Sequence, residues 1–169
     1  NKLFILRKYS IDGVHWSERE TMIQIDLNVD SCNQIISPSV LYRPQKGYTM
    51  WYVDRVNGKR EIRTQESENG KDWNNKNMCL LSGKDINPWH IDIQFIDNKY
   101  YMVVYDHKSL TLWKSNDGVS FQLANQILEP SSKVGSFYSS GLYRSALLKD
   151  DEGYKLFFSA FEKKTVIGL

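Results

Sequence analysis

Cysteine is nearly absent from this chain. Only Cys32 and Cys79 occur in 169 residues, with no C-x-x-C pair, and the three histidines show no metal-ligand spacing. That argues against a disulfide framework and against a structural zinc site, so both thiols are expected to be free. Long hydrophobic runs are missing too: nothing is long enough to cross a bilayer, and no segment resembles a signal-peptide core. An excess of one charge is likewise absent, with 22 Lys and Arg against 20 Asp and Glu and no block of like sign. Neither nucleic acid nor a membrane surface is therefore expected as a partner. Apolar residues do not recur with helical period, so no helix is expected. The chain opens on Asn1 rather than Met, and upstream residues are expected to have been removed.

What is present is an ordinary globular composition, 41% hydrophobic and 25% charged, with 13% aromatic residues including ten Tyr and five Trp. Such rings suit β-sheet faces and also suit surfaces that stack on sugars. Composition alone does not separate the two uses.

Self-comparison shows a repeat. "YSIDGVHW" ends at Trp16, "ESENGKDW" at Trp73 and "KSNDGVSF" at Phe121, 57 and 48 residues apart. Each has a Ser, an acidic or amide residue, a Gly, and an aromatic ring three residues after the Gly. The Asx-Gly pair predicts a positive-φ hairpin turn capped by Ser, with the ring packing back on the sheet. Between these turns lie "SPSVLYRPQKGYTMWYVD" (37–54), "HIDIQFIDNKYYMVVYD" (90–106) and "YRSALLKDDEGYKLFFSAF" (143–161), each an apolar strand, a polar turn and a second strand. Joined, the two elements make a four-stranded antiparallel unit whose outer strand is a segment such as "NMCLL" or "QLANQIL".

The pattern predicts an all-β fold, a β-propeller of four-stranded antiparallel blades. A β-sandwich also gives many short strands, but it supplies no reason for one turn motif to recur at blade-like intervals. In this frame residues 1–30 are the end of one blade, 35–82 and 88–130 are two blades, and 141–169 is a partial blade. About three blades cannot close a ring. Further blades from a longer parent are expected to complete it, with a homodimer as the alternative.

The S-x-D-G-x-x-W turn, together with "SPSVLY" followed by "GYTMWY", resembles the furanosidase-like five-bladed propellers of glycoside hydrolase families 43 and 32. The resemblance implies carboxylates where the innermost strands open into a central funnel. Asp92 in "NPWHIDIQ" matches such a position; the equivalents Ser39 and Ser145 do not, and Ser37-Pro38 stands where the family has Asp-Pro. It implies a carbohydrate partner and glycosidic-bond hydrolysis, with no metal or organic cofactor. Hydrolysis of that kind normally needs two carboxylates, so a non-catalytic carbohydrate-binding or protein-interaction propeller is the alternative.

Strand topology puts the candidates on one rim, because the start of a hairpin's first strand and the end of its second lie at the same edge. Trp89, His90 and Asp92 thus share an edge with Asp106 and His107, Ser37 and Ser39 with Asp54 and Arg55, and Tyr143 and Arg144 with Glu162. Asp92 is the candidate catalytic residue, as acid, base or oxocarbenium stabiliser; its bland role is to cap backbone N–H groups. The substrate-binding candidates are Trp89, His90, Arg144, Tyr143, Ser39, Asp106 and Asp54. Trp89 offers a face for a sugar ring or for inter-blade packing. His90, two residues before Asp92, is expected either to hydrogen-bond it and orient a sugar hydroxyl or to be satisfied by a neighbouring blade. Arg144 offers fixed donors to an anion or hydroxyls, or neutralises rim acids. Asp54, Asp106 and Glu162 are also accounted for by solvated loops. The segment 129–145, with Phe137 and Tyr138, is a candidate substrate-contacting loop.

Overall fold

The computed structural model describes residues 2–26, 34–56, 58–131, 133 and 138–161. Every regular element among them is a strand, so the fold is all-β. The chain divides into two compact units, Asn1–Met78 and Cys79–Leu169.

The first unit holds β1 (Lys2–Arg7), β2 (Glu20–Asp26), β3 (Gln34–Arg43), β4 (Gly47–Val56), β5 (Lys59–Ser67) and β6 (Asn74–Met78). β1 and β2 form an antiparallel pair, and β3-β4-β5-β6 form an antiparallel four-stranded meander. Met50, Trp51, Tyr52 and Val53 of β4 are buried in succession, so both faces of this strand are covered. Met50 and Tyr52 pack with Ile5 and Ile35, flanked by Met22, Ile23 and Trp73. Each side chain fully buried in this way contributes about 1.5–3 kcal/mol.

The second unit holds β7 (Leu80–Ser82), β8 (His90–Ile96), β9 (Lys99–Tyr105), β10 (Leu110–Ser115), β11 (Ser120–Leu128), β12 (Gly141–Asp150) and β13 (Gly153–Phe161). β8 to β11 form a second antiparallel meander, and β12 pairs with β13 alone. Met102, Val103 and Val104 of β9 are again buried in succession. Val103, Leu110, Leu142 and Leu147 form a shared core between the meander and β12, so two sheets pack face to face within this unit.

One expectation needs correction. "NMCLL" is not a single outer strand: β6 ends at Met78, and β7 joins β11 in parallel at the outer edge of the next sheet. Cys79 marks the break. It is buried, its thiol reaches the Gly118 carbonyl at 3.9 Å, and the Leu80 N–H donates to Val119 O at 2.9 Å. Cys79 takes part in no disulfide; Cys32 lies outside the described residues.

The repeated turns share one bonding scheme. Ser10, Ser67 and Ser115 accept the N–H of Gly13, Gly70 and Gly118 on their hydroxyls at 2.8, 2.8 and 2.9 Å. In each turn the following Asx oxygen accepts two more N–H groups: Asp12 from Val14 and His15, Asn69 from Lys71 and Asp72, Asp117 from Val119 and Ser120. The Gly alone takes positive φ, 76°, 69° and 83°, a region where a Cβ is disfavoured. The rings diverge. Phe121 is 1% exposed and Trp73 packs against the first unit's core, whereas Trp16 is 59% exposed. Trp16 belongs to the β1–β2 sheet, in which no second strand flanks β1 among the described residues.

Burial alone would raise the Asp117 carboxyl, but the N–H groups of Ser120 and Val119 and the Ser115 hydroxyl outweigh it and hold the pKa at about 2. A depressed carboxyl stabilises the fold fully above its unfolded value, and that contribution disappears as pH falls from about 4 towards 2. Asp117→Ala should therefore cost about 1 kcal/mol at neutral pH and almost nothing at pH 2. Urea midpoints of both proteins across that range check it; a pH-independent difference would contradict the assignment.

Candidate functional site

The residues singled out in "NPWHIDIQ" converge in the second unit. β8 and β9 are joined by a tight turn in which Asp97 and Asn98 both take positive φ. Counting back from that turn places His90 directly opposite Tyr105, and the Trp89 N–H donates to Tyr105 O at 2.8 Å. The hairpin therefore ends with Trp89 and His90 on one strand and Tyr105, Asp106 and His107 on the other. β12 brings Tyr143 and Arg144 to the same place.

Rings surround the imidazole. The Tyr105 ring lies nearly parallel to His90 at 6.5 Å, Tyr143 meets it edge-on at 4.6 Å, and Trp89 lies at 5.9 Å. The Trp89 ring also approaches His107 at 4.7 Å. His107 takes φ of 71°, a left-handed conformation that carries backbone strain outside glycine, at the corner where the chain leaves β9. Tyr143 is 43% exposed, so the cluster opens to solvent on the β12 side.

His90 itself is 6% exposed, and neither ring nitrogen has a hydrogen-bond partner. Burial, followed by the positive charges of Arg144 and His107, pushes its pKa down to about 4. The expected His90–Asp92 hydrogen bond is not formed. Aromatic walls occupy the space around the imidazole, and the Asp92 carboxylate is drawn elsewhere: its Oδ2 accepts the Leu147 N–H of β12 at 2.8 Å. The capping role of Asp92 is thus realised in an unexpected form, because the N–H belongs to the adjacent sheet and not to its own strand.

The remaining candidates are held apart from that cluster or committed to other bonds. Asp106 shares the edge but points into its own loop, accepting the N–H groups of Ser109 at 2.8 Å and Lys108 at 3.1 Å, with Lys84 at 3.8 Å. Asp54, in the first unit, is 2% exposed and pairs with Lys76 at 2.9 Å and Arg63 at 3.9 Å. It is a buried ion-pair member and not a solvated loop acid. The register places Ile35 opposite Asp54 and Ser39 opposite Trp51, so Ser39 does not lie across from Asp54 as expected. β3 begins earlier than its apolar pattern indicates, and a bulge between Ile36 and Ser39, with Ser37 at φ 55°, shifts the pairing. A corresponding bulge lies between Leu142 and Ser145. Tyr138 is half-buried and packs against the core that contains Tyr105; Phe137 and Glu162 lie outside the described residues. Tyr105 escaped notice in the sequence, although the count from the Asp97-Asn98 turn identifies it as the partner of His90. No group of three or more His, Cys, Asp or Glu suited to a metal ion occurs among the described residues.

Comparison with protein-family models finds no match, and neither does comparison with curated proteins. Solved structures do match. One is of a family of mannoside phosphorylases containing glycoside hydrolases that target β-1,2 mannosidic linkages in Candida mannan: TM-score 0.74, 17% identity, 95% of this chain and 52% of that one. Another is an N-acetylgalactosamine deacetylase from F. plautii in complex with blood group B trisaccharide, with TM-score 0.69, 19% identity, and 84% and 43% covered. A thermostable family-43 glycoside hydrolase matches at TM-score 0.52, 17% identity, with 75% and 41% covered. The described residues are all-β, and glycosidases of the propeller type are among the structures they resemble. At these identities the likeness is one of fold, and the chain spans about half or less of the length of each of these matches.

Two outcomes follow from the geometry. Asp92→Ala should cost about 1–3 kcal/mol by leaving the Leu147 N–H without its acceptor, whereas Asp92→Asn keeps an oxygen and should cost less; chemical denaturation of both variants separates the cases. His90 binds a proton less readily folded than unfolded, so stability should fall as pH drops from about 6.5 to 4. His90→Phe should flatten that slope, and an unchanged slope in the variant would assign it to another group.

Proposed function

We infer that this chain is part of a carbohydrate-active propeller protein and that the β8–β9–β12 rim is its sugar-contacting face. The observation that carries the reading is the unpartnered His90 imidazole, ringed by Trp89, Tyr105 and Tyr143 at one edge of a glycosidase-type fold. A buried imidazole without a hydrogen bond costs stability, and polar groups left so are common where a ligand completes them. Trp89 and Tyr143 present faces of the kind that stack on the C–H side of a sugar ring. His90, Arg144 and the part-exposed rings supply direction through hydrogen bonding and charge.

In this proposal the sheets are successive blades, divided near 1–30, 35–82, 88–130 and 141–169, of a furanosidase-like propeller with five blades when whole. The missing blades come from the rest of the parent or, alternatively, from a second copy. The reaction is glycosidic-bond hydrolysis on an oligo- or polysaccharide. It requires a second carboxylate, which the rest of the assembly provides, with Asp92 contributing its remaining oxygen. Ser39 is a peripheral contributor in this arrangement, and Asp54 and Asp106 act structurally.

A second reading has its own observation. Asp92 is bonded to the Leu147 N–H and Ser39 and Ser145 stand where further acids would, so the rim serves equally as a non-catalytic carbohydrate-binding face.

The test uses the full-length parent with a panel of oligosaccharides, measuring affinity by calorimetry and hydrolysis by reducing-end release. Trp89→Ala should weaken glycan binding about tenfold, near 1.4 kcal/mol. Asp92→Asn should abolish turnover without abolishing binding. Glycan binding without turnover in the unmodified protein selects the binding role, undiminished turnover in Asp92→Asn removes Asp92 from the chemistry, and unaltered affinity in Trp89→Ala removes this rim from carbohydrate recognition.

A further inference from the structure

We propose that the rim is built for an acidic sugar, a hexuronic acid residue whose carboxylate pairs with Arg144 while its ring lies against Trp89 and Tyr143. The proposal rests on the carbohydrate reading above and narrows it.

Charge on the rim is the argument. Three groups from β12 and the corner after β9 lie beside the imidazole: Tyr143 and Arg144 of β12, and His107. The acids that might balance them are already engaged. Asp92 gives an oxygen to the Leu147 N–H of β12, and Asp106 turns into its own loop, where it accepts the Ser109 and Lys108 N–H groups and lies near Lys84. Arg144 is exposed and forms no ion pair among the described residues, unlike Arg7 and Arg63, which pair with Glu20 and with Glu61. A guanidinium without a carboxylate partner, one residue from an exposed Tyr and acting on a buried unpaired imidazole, leaves an accessible positive charge at the open side of the aromatic cluster. Arg is suited to filling that deficit, because its planar fork matches a carboxylate with two parallel hydrogen bonds. A neutral sugar would leave the field uncompensated.

His90 deepens the case. Its ring nitrogens are buried and unpartnered, and the part-exposed Tyr143 ring meets it edge-on. It responds through charge. An anion on Arg144 cancels one of the influences that keep His90 neutral, so the imidazole binds a proton more readily once the sugar is in place. The other charged or titratable neighbours are Asp92 on β8, Tyr105, Asp106 and His107 at the end of β9, and Tyr143 on β12. Of these, only the two acids favour the protonated ring in the free protein.

The experiment titrates the full-length protein and its Arg144→Gln variant with three probes: an oligouronate, the same oligosaccharide with its carboxyls reduced to alcohols, and a sulfated neutral oligosaccharide. The oligouronate should bind at least tenfold more tightly than its reduced form, with an affinity that falls as salt rises. Arg144→Gln should erase that preference, and the His90 ring signals in NMR should titrate at higher pH with oligouronate bound. The proposal is overturned if the reduced form binds as well as the acid, if the preference survives in Arg144→Gln, or if the sulfated probe outcompetes the oligouronate. Binding of the neutral probe that is lost in Trp89→Ala would leave the carbohydrate reading intact while removing the acidic ligand. Absence of binding to all three probes would defeat both.

Discussion

The second unit turns on a single hydrogen bond between sheets. Asp92 Oδ2 reaches from β8 to the Leu147 N–H of β12 at 2.8 Å, and the shared core of Val103, Leu142 and Leu147 lies alongside. A charge-assisted bond in a half-buried setting is stronger than a neutral one. It also has one geometry. Fixing β12 against β8 at that point sets how far along the hairpin Tyr143 lies, and therefore that its edge meets the His90 ring at 4.6 Å. The Lys149–Asp97 ion pair and the shared apolar core hold the two sheets together elsewhere, and the Asp92 tie is the one nearest the aromatic cluster along β8. The residue that looks most like a catalytic acid is thus also the one that assembles the site.

A second constraint is local and repeats. In each Ser-Asx-Gly turn one hydroxyl and one carboxylate or amide oxygen satisfy three backbone N–H groups, so the chain can reverse between the two strands it joins without leaving those donors unpaired. The turn closes from within. The aromatic residue that follows is free to respond to its surroundings, which is why Phe121 is buried and Trp16 is exposed in the same motif. The motif specifies the corner, and the inner strands decide what becomes of the ring.

What was readable in the sequence follows the same division. Hairpins, their aromatic second strands and the three turns are set by period-two patterning and turn chemistry within a few residues, and these are present as expected. So is the meeting of Trp89 and His90 with His107, because antiparallel pairing brings hairpin ends together by necessity. Features that depend on another sheet were not readable. The division of "NMCLL" into β6 and β7 is decided by Cys79 docking on the Gly118 turn, forty positions away in sequence terms. The choice of Asp92 between His90 and the Leu147 N–H depends on the approach of β12. The bulges before Ser39 and Ser145 shift the strand pairing where the side-chain pattern does not show it, so Asp54 meets Ile35 instead of Ser39. Asp54 shows the limit most clearly: as a loop-edge acid it was expected in water, yet Lys76 and Arg63 from the two following strands enclose it.

Charge accounting links the architecture to chemistry. A site that breaks glycosidic bonds needs carboxylates that are free to give and take protons, and a site that holds sugars needs rings and donors. On this rim the structural tie consumes an oxygen of Asp92, and the loop corner consumes Asp106, so the fold has drawn on its own acids to hold its shape. What the rim offers besides these acids is cationic and aromatic: Arg144, His90, Trp89 and Tyr143. The same bond that positions the rings therefore biases the rim towards binding, and towards ligands that bring the negative charge with them. In the proposed catalytic reading, the second carboxylate therefore comes from outside this rim, and the rim's part is to hold the sugar.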